Sequence, residues 1–482
     1  MRRLSRFISV CLYVAAAGAA ALAQAPATAD ERIERLEKLL AETRAEVSAL
    51  KAASTGGATD VKLAEIERKI DILAGEIEAM KIGEAATPAS APATASTTLS
   101  ATGKPVPQDT GERYGLGLSA AKVYGLRRGV SIGGYGEALY ENFGERRQDG
   151  ALSNRNDRID FLRAVVYVGY KFDDRWVLNT EIEYEHAVTG EDAGGEVAVE
   201  FAYIDYLHSP AVNARAGLVL VPMGLVNELH EPTAFLGARR PDVERFILPT
   251  TWREIGGGVY GDTGPLSYRA YVTSSLDSAD FSASNGIRSG RQQGAEATAR
   301  DWALTGRLDF TRVPGLLVGA SVFTGDTGQG RRTLEGGELD ARTTVWDVHA
   351  DWRWRGLQLR ALYAGTSIGQ AAEINALNGF TGNQSVGGRQ EGWYVQGAFD
   401  LLSLTSSAKA ALLPYVRYEQ YDTQARVPAG FARNPANDNR ELTLGLAFQP
   451  IDQLIFKADW QERRNAARTG VNQWNVALGY IF

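Results

Sequence analysis

The chain has 482 residues, a formal net charge of −7 and one cysteine, Cys11. Nucleic acid is therefore not an expected partner, because surfaces that bind it carry an excess of lysine and arginine. A single cysteine excludes a disulfide framework within the chain.

The first 23 residues have the three parts of a secretory signal peptide. Three arginines in MRRLSRF precede an apolar run from Phe7 to Ala23, which ends in the small-residue motif Ala-Leu-Ala. We expect cleavage after Ala23 and a mature chain that begins at Gln24. The alternative, an uncleaved anchor, is disfavoured because the run is shorter than the roughly 20 residues of a membrane helix. Cys11 would be removed with the signal, and Val10 before it is too bulky for a lipoprotein cleavage site.

Residues 30–82 are predicted to be a helical coiled coil. Apolar residues recur every three or four positions in two runs, 33–50 and 63–80, and the sequence ASTGGATD separates them. The pattern favours a coil between chains, with a helical hairpin within one chain as the alternative. Residues 83–112 follow as a linker rich in proline, alanine, threonine and serine.

From Gly129 onward the sequence predicts sixteen β-strands with alternating side chains. In TTVWDVHADWRW, Trp346 and Val348 face one way, whereas Asp347 and His349 face the other. The strands are expected near 130–141, 159–171, 174–186, 196–208, 212–221, 253–260, 266–276, 301–311, 315–325, 343–354, 357–367, 391–401, 411–421, 440–449, 453–462 and 472–482.

The connections between these strands alternate between short turns and long loops. This alternation is typical of a bacterial outer-membrane barrel, whereas a stack of soluble β-sandwiches would not show it. The predicted fold class is therefore all-β, a 16-stranded antiparallel transmembrane β-barrel over residues 113–482, preceded by the α-helical coiled coil. An even number of strands places both barrel ends on the short-turn, periplasmic rim. The coiled coil is then expected in the periplasm and the barrel in the bacterial outer membrane.

The last eleven residues, NQWNVALGYIF, are predicted to be the closing strand. Trp474, Val476, Leu478 and Tyr480 share one face with the terminal Phe482. We expect the Phe482 ring to lie at the periplasmic edge of the apolar band.

The third long loop, between the fifth and sixth strands, is rich in aliphatic, aromatic and proline residues. Such a loop is expected to pack onto a surface, and the inner wall of the barrel is the surface available. An external lid is the alternative. Folded inward, the loop would form a constriction with the charged residues Glu228, His230, Glu231, Arg239, Arg240, Asp242, Glu244 and Arg245.

The inward-facing positions of the strands are polar, as expected for an aqueous channel. We interpret them as solvated pore-wall groups, namely Arg163, Glu181, Glu183, Arg307, Asp347, Asp351, Arg360 and Arg417, together with Glu185, Asp309, His349, Glu419, Lys457 and Asp459.

The strand pattern, the inward loop and the terminal phenylalanine resemble trimeric bacterial porins. The stretches GVSIGGYGEALYENF, DRIDFLRAVVYVGYKFDDRWVLNTEIEYEHA, RAGLVLVPMGLVNELHEP and RYEQYD resemble the phosphate-selective porin (porin O and P) family. The similarity covers about Tyr114 to Phe482. It implies a homotrimer in which pore arginines bind anions. Here the interleaved acids Glu228, Glu231, Asp242 and Glu244 would weaken a phosphate-selecting field.

The leading interpretation is a porin for passive diffusion of small hydrophilic solutes or anions, in contact with outer-membrane lipids. No nucleotide motif, membrane helix or plug domain is apparent, and no cofactor or metal site is expected. A second possibility is an envelope tether, in which the coiled coil contacts peptidoglycan. A barrel enzyme is a third, but no serine motif such as G-x-S-x-G accompanies the four histidines.

Overall fold

The computed structural model describes residues 115–189, 194–405 and 410–482. The predicted signal peptide, coiled coil and linker lie outside these residues and stay predictions. The strands are β1 (Gly129–Phe143), β2 (Arg158–Lys171), β3 (Trp176–Glu185), β4 (Val197–Ser209), β5 (Val212–Leu220), β6 (Arg253–Thr263), β7 (Leu266–Ser274), β8 (Trp302–Phe310), β9 (Leu316–Gly325), β10 (Thr343–Trp354), β11 (Leu357–Ile368), β12 (Arg389–Phe399), β13 (Ala411–Arg426), β14 (Asp438–Ile451), β15 (Leu454–Asn465) and β16 (Gln473–Ile481).

Helices are few and short in the described part of the chain. They are α1 (Lys122–Gly125), α2 (Asp242–Phe246) and α3 (Ala371–Leu377), with single 3₁₀ turns at Pro232–Ala234, Ser278–Asp280, Arg288–Gly290, Gly382–Gln384, Leu401–Leu404 and Pro435–Asn437. None of the described helices has the length and apolarity needed to cross a membrane.

The sixteen strands form one closed antiparallel barrel. Each strand pairs with its neighbours in chain order, and β1 pairs with β16 to close the sheet. At this seam Tyr135 lies opposite Ile481 and Phe143 lies opposite Gln473. Every predicted strand overlaps one of the observed strands, and the predicted 16-stranded antiparallel β-barrel is confirmed.

The outer face of the barrel is an apolar belt. Exposed side chains on nine of the strands include Val168, Ile204, Val272, Leu308, Val322, Val348, Val395, Val416 and Leu444. Water would penalise so large a continuous apolar surface, whereas the hydrocarbon core of a bilayer stabilises it.

Aromatic pairs on the outer face border this belt on both sides. Near the long-loop rim, the rings of Trp346 and Tyr363 lie 5.3 Å apart, and those of Trp393 and Tyr418 lie 5.5 Å apart. At the short-turn rim, Trp176 and Tyr206 are separated by 4.8 Å. Two aromatic girdles of this kind mark the levels at which a membrane barrel meets the headgroups.

The inward-facing polar residues are largely covered, in contrast to the interpretation as solvated groups. Glu181 and Glu419 are fully buried, and Asp347 and Arg417 are each 1% exposed. The reason is that loops and a segment before β1 occupy much of the lumen and form hydrogen bonds with the wall. The two-residue alternation along each strand predicted which side chains face inward, but it did not predict which groups pack on them.

One occupant of the lumen is the sequence GLGLSAAKVYGL (residues 115–126), which we call the lumen segment. It packs against inward-facing residues of β2 to β7, among them Val165, Tyr167 and Tyr203. Asn179 Nδ2 on β3 donates a hydrogen bond to Ala120 O at 2.9 Å. The sequence analysis did not foresee this segment, which lies inside the barrel at the short-turn end.

Candidate functional site

The base of the third loop (residues 221–252) is closed by one amide side chain. Asn227 Nδ2 donates hydrogen bonds to Val221 O at 2.6 Å and to Trp252 O at 2.9 Å. Trp252 N in turn donates to Asn227 Oδ1 at 2.6 Å. Because the side chain of Asn227 is fully buried, these bonds satisfy its polar atoms and hold the two ends of the loop together.

The first turn of the loop is bound to the wall at β8 and β10. Gly224 N donates a hydrogen bond to Asp347 Oδ2 at 3.1 Å, and Arg307 Nη1 donates to Gly224 O. His349 lies between two carboxylates, with Nδ1 2.6 Å from Asp347 Oδ1 and Nε2 2.9 Å from Asp309 Oδ1. Asp347 therefore binds the loop, and both Asp347 and Asp309 bind the His349 ring that lies between them.

A carboxylate from α2 connects the loop to itself and to β12. Glu244 Oε2 accepts hydrogen bonds from Leu225 N at 2.9 Å and Val226 N at 2.7 Å, while Oε1 accepts from Tyr394 OH at 2.6 Å. Burial raises the pKa of Glu244, and the hydrogen bond from Tyr394 opposes that rise. Glu244 thus stabilises the fold of the loop, and its side chain does not face open space.

The middle of the loop is bound on the opposite side of the barrel. Lys457 Nζ on β15 donates to Gly237 O at 3.0 Å, and Ala238 N donates to Asp459 Oδ2 at 2.7 Å. These contacts place the loop across the lumen from β8 to β15, against inward-facing side chains throughout.

Three charged or polar loop side chains point toward β1 and β3. His230 Nε2 lies 3.0 Å from Glu181 Oε1, and Arg240 Nη2 donates to His230 O at 3.2 Å. Arg239 forms an ion pair with Glu141 on β1. The arginines of this stretch therefore lie on the side of the loop that faces strands β1 to β3.

A cavity of about 770 Å³, which we call the chamber, lies between the third loop and strands β1 to β3. Charged side chains of the strands and of the loops line it. From the strands and their ends come Glu137, Glu141, Asp157, Arg158, Asp160, Arg163, Glu185 and His186; from the loops come Arg239, Arg240, Asp242, Arg245 and Arg288.

A second cavity of about 510 Å³, which we call the arginine cavity, adjoins the chamber and shares Glu141, Arg158, Arg239 and Arg245 with it. Among the described residues that line it, seven are arginines and only Glu141 is acidic. The arginines are Arg147, Arg155, Arg158, Arg239, Arg245, Arg463 and Arg464. Such an excess of positive charge in a concave, partly dehydrated site attracts anions.

Some of these arginines are neutralised and others are not. Arg158 Nη2 lies 2.8 Å from Glu141 Oε2, and Arg463 pairs with Asp242. Within residues 115–189, 194–405 and 410–482, no carboxylate oxygen lies within 4.0 Å of Arg155 or Arg245. Burial, followed by the charges of Arg463 and Arg158, lowers the pKa of Arg155. Neither guanidinium is thus in a direct ion pair with a described residue, and the nearest compensating charges are those of Glu141 for Arg155 and Asp242 for Arg245.

The loop between β7 and β8 (residues 275–301), here called the fourth loop, covers the third loop from the long-loop side. Arg291 Nη1 donates to Pro249 O at 3.1 Å and to Thr251 O at 2.7 Å. Arg288 Nη1 donates to Arg245 O at 3.2 Å. Two guanidinium groups thus cap main-chain carbonyls at the end of the third loop and keep its last turn in place.

Phe235 separates the chamber from a small cavity on the opposite side of the third loop. Its ring lines both spaces, although only 3% of the residue is exposed. The small cavity has room for about one water and is lined by Asp351, Arg353 and Arg360 together with loop residues 233–236. A passage from the chamber toward β10 and β11 would therefore have to go past this ring.

The third loop also contacts the lumen segment through one carboxylate. Glu231 Oε1 accepts hydrogen bonds from Ser119 N at 3.1 Å and Ala120 N at 3.2 Å. Burial raises the pKa of Glu231 to about 7, and the hydrogen bonds from Ala120 and Ser119 act against that rise. Two separate parts of the chain thus meet inside the barrel at Glu231.

The predicted site residues divide into two groups. Of the eight predicted constriction residues, Arg239, Arg240, Asp242 and Arg245 line the chamber, whereas Glu228, His230, Glu231 and Glu244 are buried in structural contacts. Of the predicted wall residues, Arg163 lines the chamber, Asp351 and Arg360 line the small cavity, and Glu181, Glu183, Arg307, Asp347 and Arg417 are buried beneath other groups.

Sequence reasoning missed Arg155, Arg158, Arg288 and Arg463, and it treated Phe235 only as one of the apolar residues by which the third loop packs onto the wall. Arg155 and Arg288 lie in loops that looked external, and Arg463 lies far along the chain from the third loop. The arginine content of the strand ends next to the long loops was the one available signal. No arrangement of three or more histidine, cysteine or acidic side chains suited to a metal ion occurs in the described part of the chain.

Comparison with known proteins gives one close relative and several distant structures. The chain is 36% identical over 376 residues to an uncharacterized protein of Aquifex aeolicus (strain VF5), which covers 76% of this chain and 83% of that protein. No family model matches the chain.

The solved structures to which the chain is similar are distant in sequence. The outer membrane channel DcaP of Acinetobacter baumannii is 14% identical, with a TM-score of 0.46 over 73% of this chain and 97% of that chain. An anion-selective porin from Comamonas acidovorans is 11% identical, with a TM-score of 0.46 over 74% and 100% of the two chains. Salmonella typhi OmpF in complex with daunomycin is 12% identical, with a TM-score of 0.47 over 74% and 98%.

Proposed function

We propose that this chain, which belongs to the same family as the uncharacterized Aquifex aeolicus protein, is an outer-membrane porin for small hydrophilic solutes or anions. The observation that carries the proposal is the chamber of about 770 Å³ enclosed by a closed 16-strand barrel with an apolar outer belt. A polar cavity inside a transmembrane barrel gives hydrophilic solutes a path that lipid does not offer. Transport through it is passive diffusion.

The third loop acts as the constriction in this proposal. Its support is the set of wall contacts from β8, β10, β12 and β15, which hold the loop across the lumen. Solutes pass between the loop and strands β1 to β3, where Arg239, Arg240 and Arg245 face Glu141 and Glu185. Opposed charges across a narrow passage create a transverse field that orders polar solutes.

Anions are favoured at the entrance on the long-loop side. Among the described residues, five of the seven arginines of the arginine cavity are in ion pairs, and Arg155 and Arg245 are the two that are not, so an anion near these two gains electrostatic stabilisation. A unit charge about 4 Å from an opposite charge interacts by roughly 4 kcal/mol at the effective dielectric of a protein surface, before the cost of dehydration is subtracted. Each of these two arginines therefore has a measurable effect on ion preference.

Planar-bilayer recording of the purified full chain tests the proposal. Under a potassium chloride gradient, the parent should conduct, and Arg239→Ala combined with Arg240→Ala should shift the reversal potential toward cation preference and change the conductance. Arg342→Ala is the matched control, because Arg342 pairs with Asp326 in a loop and lines neither cavity. A chain that conducts in no form, neither the parent nor any variant, would refute the porin function. Unchanged conductance and reversal potential in the double variant would show that these arginines do not form the constriction.

The assembly we propose is a homotrimer exported by the signal peptide, with the coils of residues 30–82 adjacent in the periplasm. The family resemblance supports the trimer, and the heptad pattern agrees with it. Chemical crosslinking in mild detergent should yield trimers. Monomers alone would contradict this assembly without affecting the channel proposal.

A further inference from the structure

The lumen segment crosses the barrel interior and touches the wall at several separate places. At its start, a β-carbon on Gly115 would overlap the guanidinium of Arg269 on β7. At its centre, Ser119 Oγ donates to Phe482 O, while Gly134 N donates to Ser119 Oγ at 2.8 Å. The segment therefore reaches from β7 to the closing seam between β1 and β16.

The end of the segment is held by a polar cluster on β4 and β5. Tyr124 OH donates to Asp205 Oδ2 at 2.7 Å, and Arg215 Nη2 donates to Tyr124 OH at 3.2 Å. Lys171 Nζ on β2 donates to Tyr124 O at 3.3 Å. A chain that spans the lumen in this way obstructs the short-turn half of the barrel.

No part of the lumen segment belongs to a named strand of the barrel. It precedes β1, and hydrogen bonds and side-chain packing hold it in place. Water can replace each of these polar contacts when the segment leaves, so its departure does not require the sheet to open. The ladder between β1 and its two partner strands contains no residue of the segment.

Glu231 is the contact that connects this segment to the third loop. Its carboxyl oxygen Oε1 accepts hydrogen bonds from two consecutive main-chain N–H groups, whose polar atoms are thereby satisfied inside the barrel. A β-carbon on Gly117 would overlap the Glu231 carboxylate, so only glycine permits this approach. The constriction loop and the lumen segment are thus held together at one point.

We propose that residues 115–126 form a removable plug that closes the short-turn side of the channel, with Glu231 as the latch between plug and third loop. This inference rests on the proposed porin function. When the plug is seated, solutes in the chamber cannot leave by the β1–β7 side. When it leaves, that side opens and conductance rises.

A thiol-labelling experiment tests the latch without measuring transport. Cys11 is the only cysteine and lies within the predicted signal peptide, so Ala121→Cys introduces one reporter at a position that is 5% exposed. We expect slow reaction with a membrane-impermeant maleimide, and a rate about tenfold or more higher when Glu231→Ala is added, because two buried hydrogen bonds to the segment are lost. Glu231→Gln keeps an acceptor oxygen and should give an intermediate rate.

Leu334→Cys, at a loop position that is 72% exposed, sets the rate for an open site. If Ala121→Cys reacts as fast as Leu334→Cys, the segment is not seated in the lumen and the proposal is overturned. If Glu231→Ala leaves the rate of Ala121→Cys unchanged, Glu231 is not the latch.

Conductance tests the plug itself. Deleting residues 115–126 from the full chain should raise single-channel conductance severalfold, whereas deleting residues 88–99, an equal length of linker, should not. In a disulfide variant, Ser119→Cys with Gly133→Cys, the bond should abolish high-conductance openings until a reductant is added. The β-carbon position of Gly133 lies 2.6 Å from Ser119 Oγ, so the two side chains would be adjacent, and the segment has to shift by a few tenths of an ångström for the two sulfurs to bond.

Equal conductance in the two deletion variants would overturn the plug, and so would high-conductance openings in the oxidised disulfide variant. If the parent and both deletion variants all fail to conduct, the porin function is refuted. The labelling rates then still decide whether the segment is a latched occupant of the lumen, so the two failures are distinguishable.

Discussion

The ammonium nitrogen of Lys457 on β15 lies 3.7 Å from the centroid of the Phe235 ring in the third loop. The same nitrogen donates a hydrogen bond to Gly237 O at 3.0 Å. One wall cation therefore holds the ring and the loop backbone two residues further on. A buried cation over an aromatic face contributes roughly 0.5–2 kcal/mol, enough to keep the ring in one place between the two cavities that it borders.

Replacing Phe235 by alanine should increase single-channel conductance, because the ring is the partition between the chamber and the small cavity. Phe281→Ala is the matched control, since Phe281 is equally buried but lines neither space. Planar-bilayer recording measures both variants. Conductance in Phe235→Ala equal to that of the control would show that solutes do not pass this ring.

Arg155 and Arg245 should be the arginines that bind permeating anions, because neither has a carboxylate within 4.0 Å in the described part of the chain. In the parent, conductance in sulfate should saturate as ions occupy the arginine cavity. Arg155→Ala with Arg245→Ala should move half-saturation to a severalfold higher sulfate concentration. Arg342→Ala should behave as the parent, and the same curve for all three proteins would rule out an anion site here.

Asn227 should be the most sensitive residue of the third loop. Its side chain forms three hydrogen bonds at the loop base and is fully buried. Asn227→Ala leaves buried main-chain groups unpaired, at about 1–3 kcal/mol for each such group.

Asn227→Asp should be worse, since a carboxylate would face two carbonyl oxygens. Both variants should lower the temperature of the heat-induced shift in gel mobility and add noise to the open-channel current. An aspartate variant as stable as the parent would contradict the assigned contacts.

The stability contributed at Glu231 should fall as pH rises from about 4.5 to about 7. The folded protein keeps a proton on this carboxyl up to about pH 7, whereas the ordinary value is 4.5. Within that window the unfolded chain therefore binds fewer protons, and stability decreases with increasing pH.

Glu231→Gln does not titrate and serves as the reference for this effect. The midpoint temperature of the gel-mobility shift in the parent, relative to Glu231→Gln, should be higher at pH 5 than at pH 8. A difference that does not change with pH would contradict the raised pKa.

Much of the barrel could be predicted because strand alternation is local. Trp346 and Val348 face outward, whereas Asp347 and His349 face inward, and this division follows from the two-residue period whatever the partner strand is. The apolar character of the third loop likewise indicated that it packs on a surface. Fold class, strand order and the identity of inward-facing residues were therefore determined by the sequence alone.

The contents of the lumen were decided by tertiary structure. The alternation of side chains along β10 placed Asp347 inside the barrel, but only the folded chain shows that Gly224 of the third loop binds its carboxylate. The lumen segment has no alternating pattern, because its partners are side chains on many strands instead of one neighbouring strand. Arg155 and Arg463 meet only because β1 pairs with β16, which brings the two ends of the sheet together. Contacts of this kind depend on closure of the barrel, and no local period in the sequence encodes them.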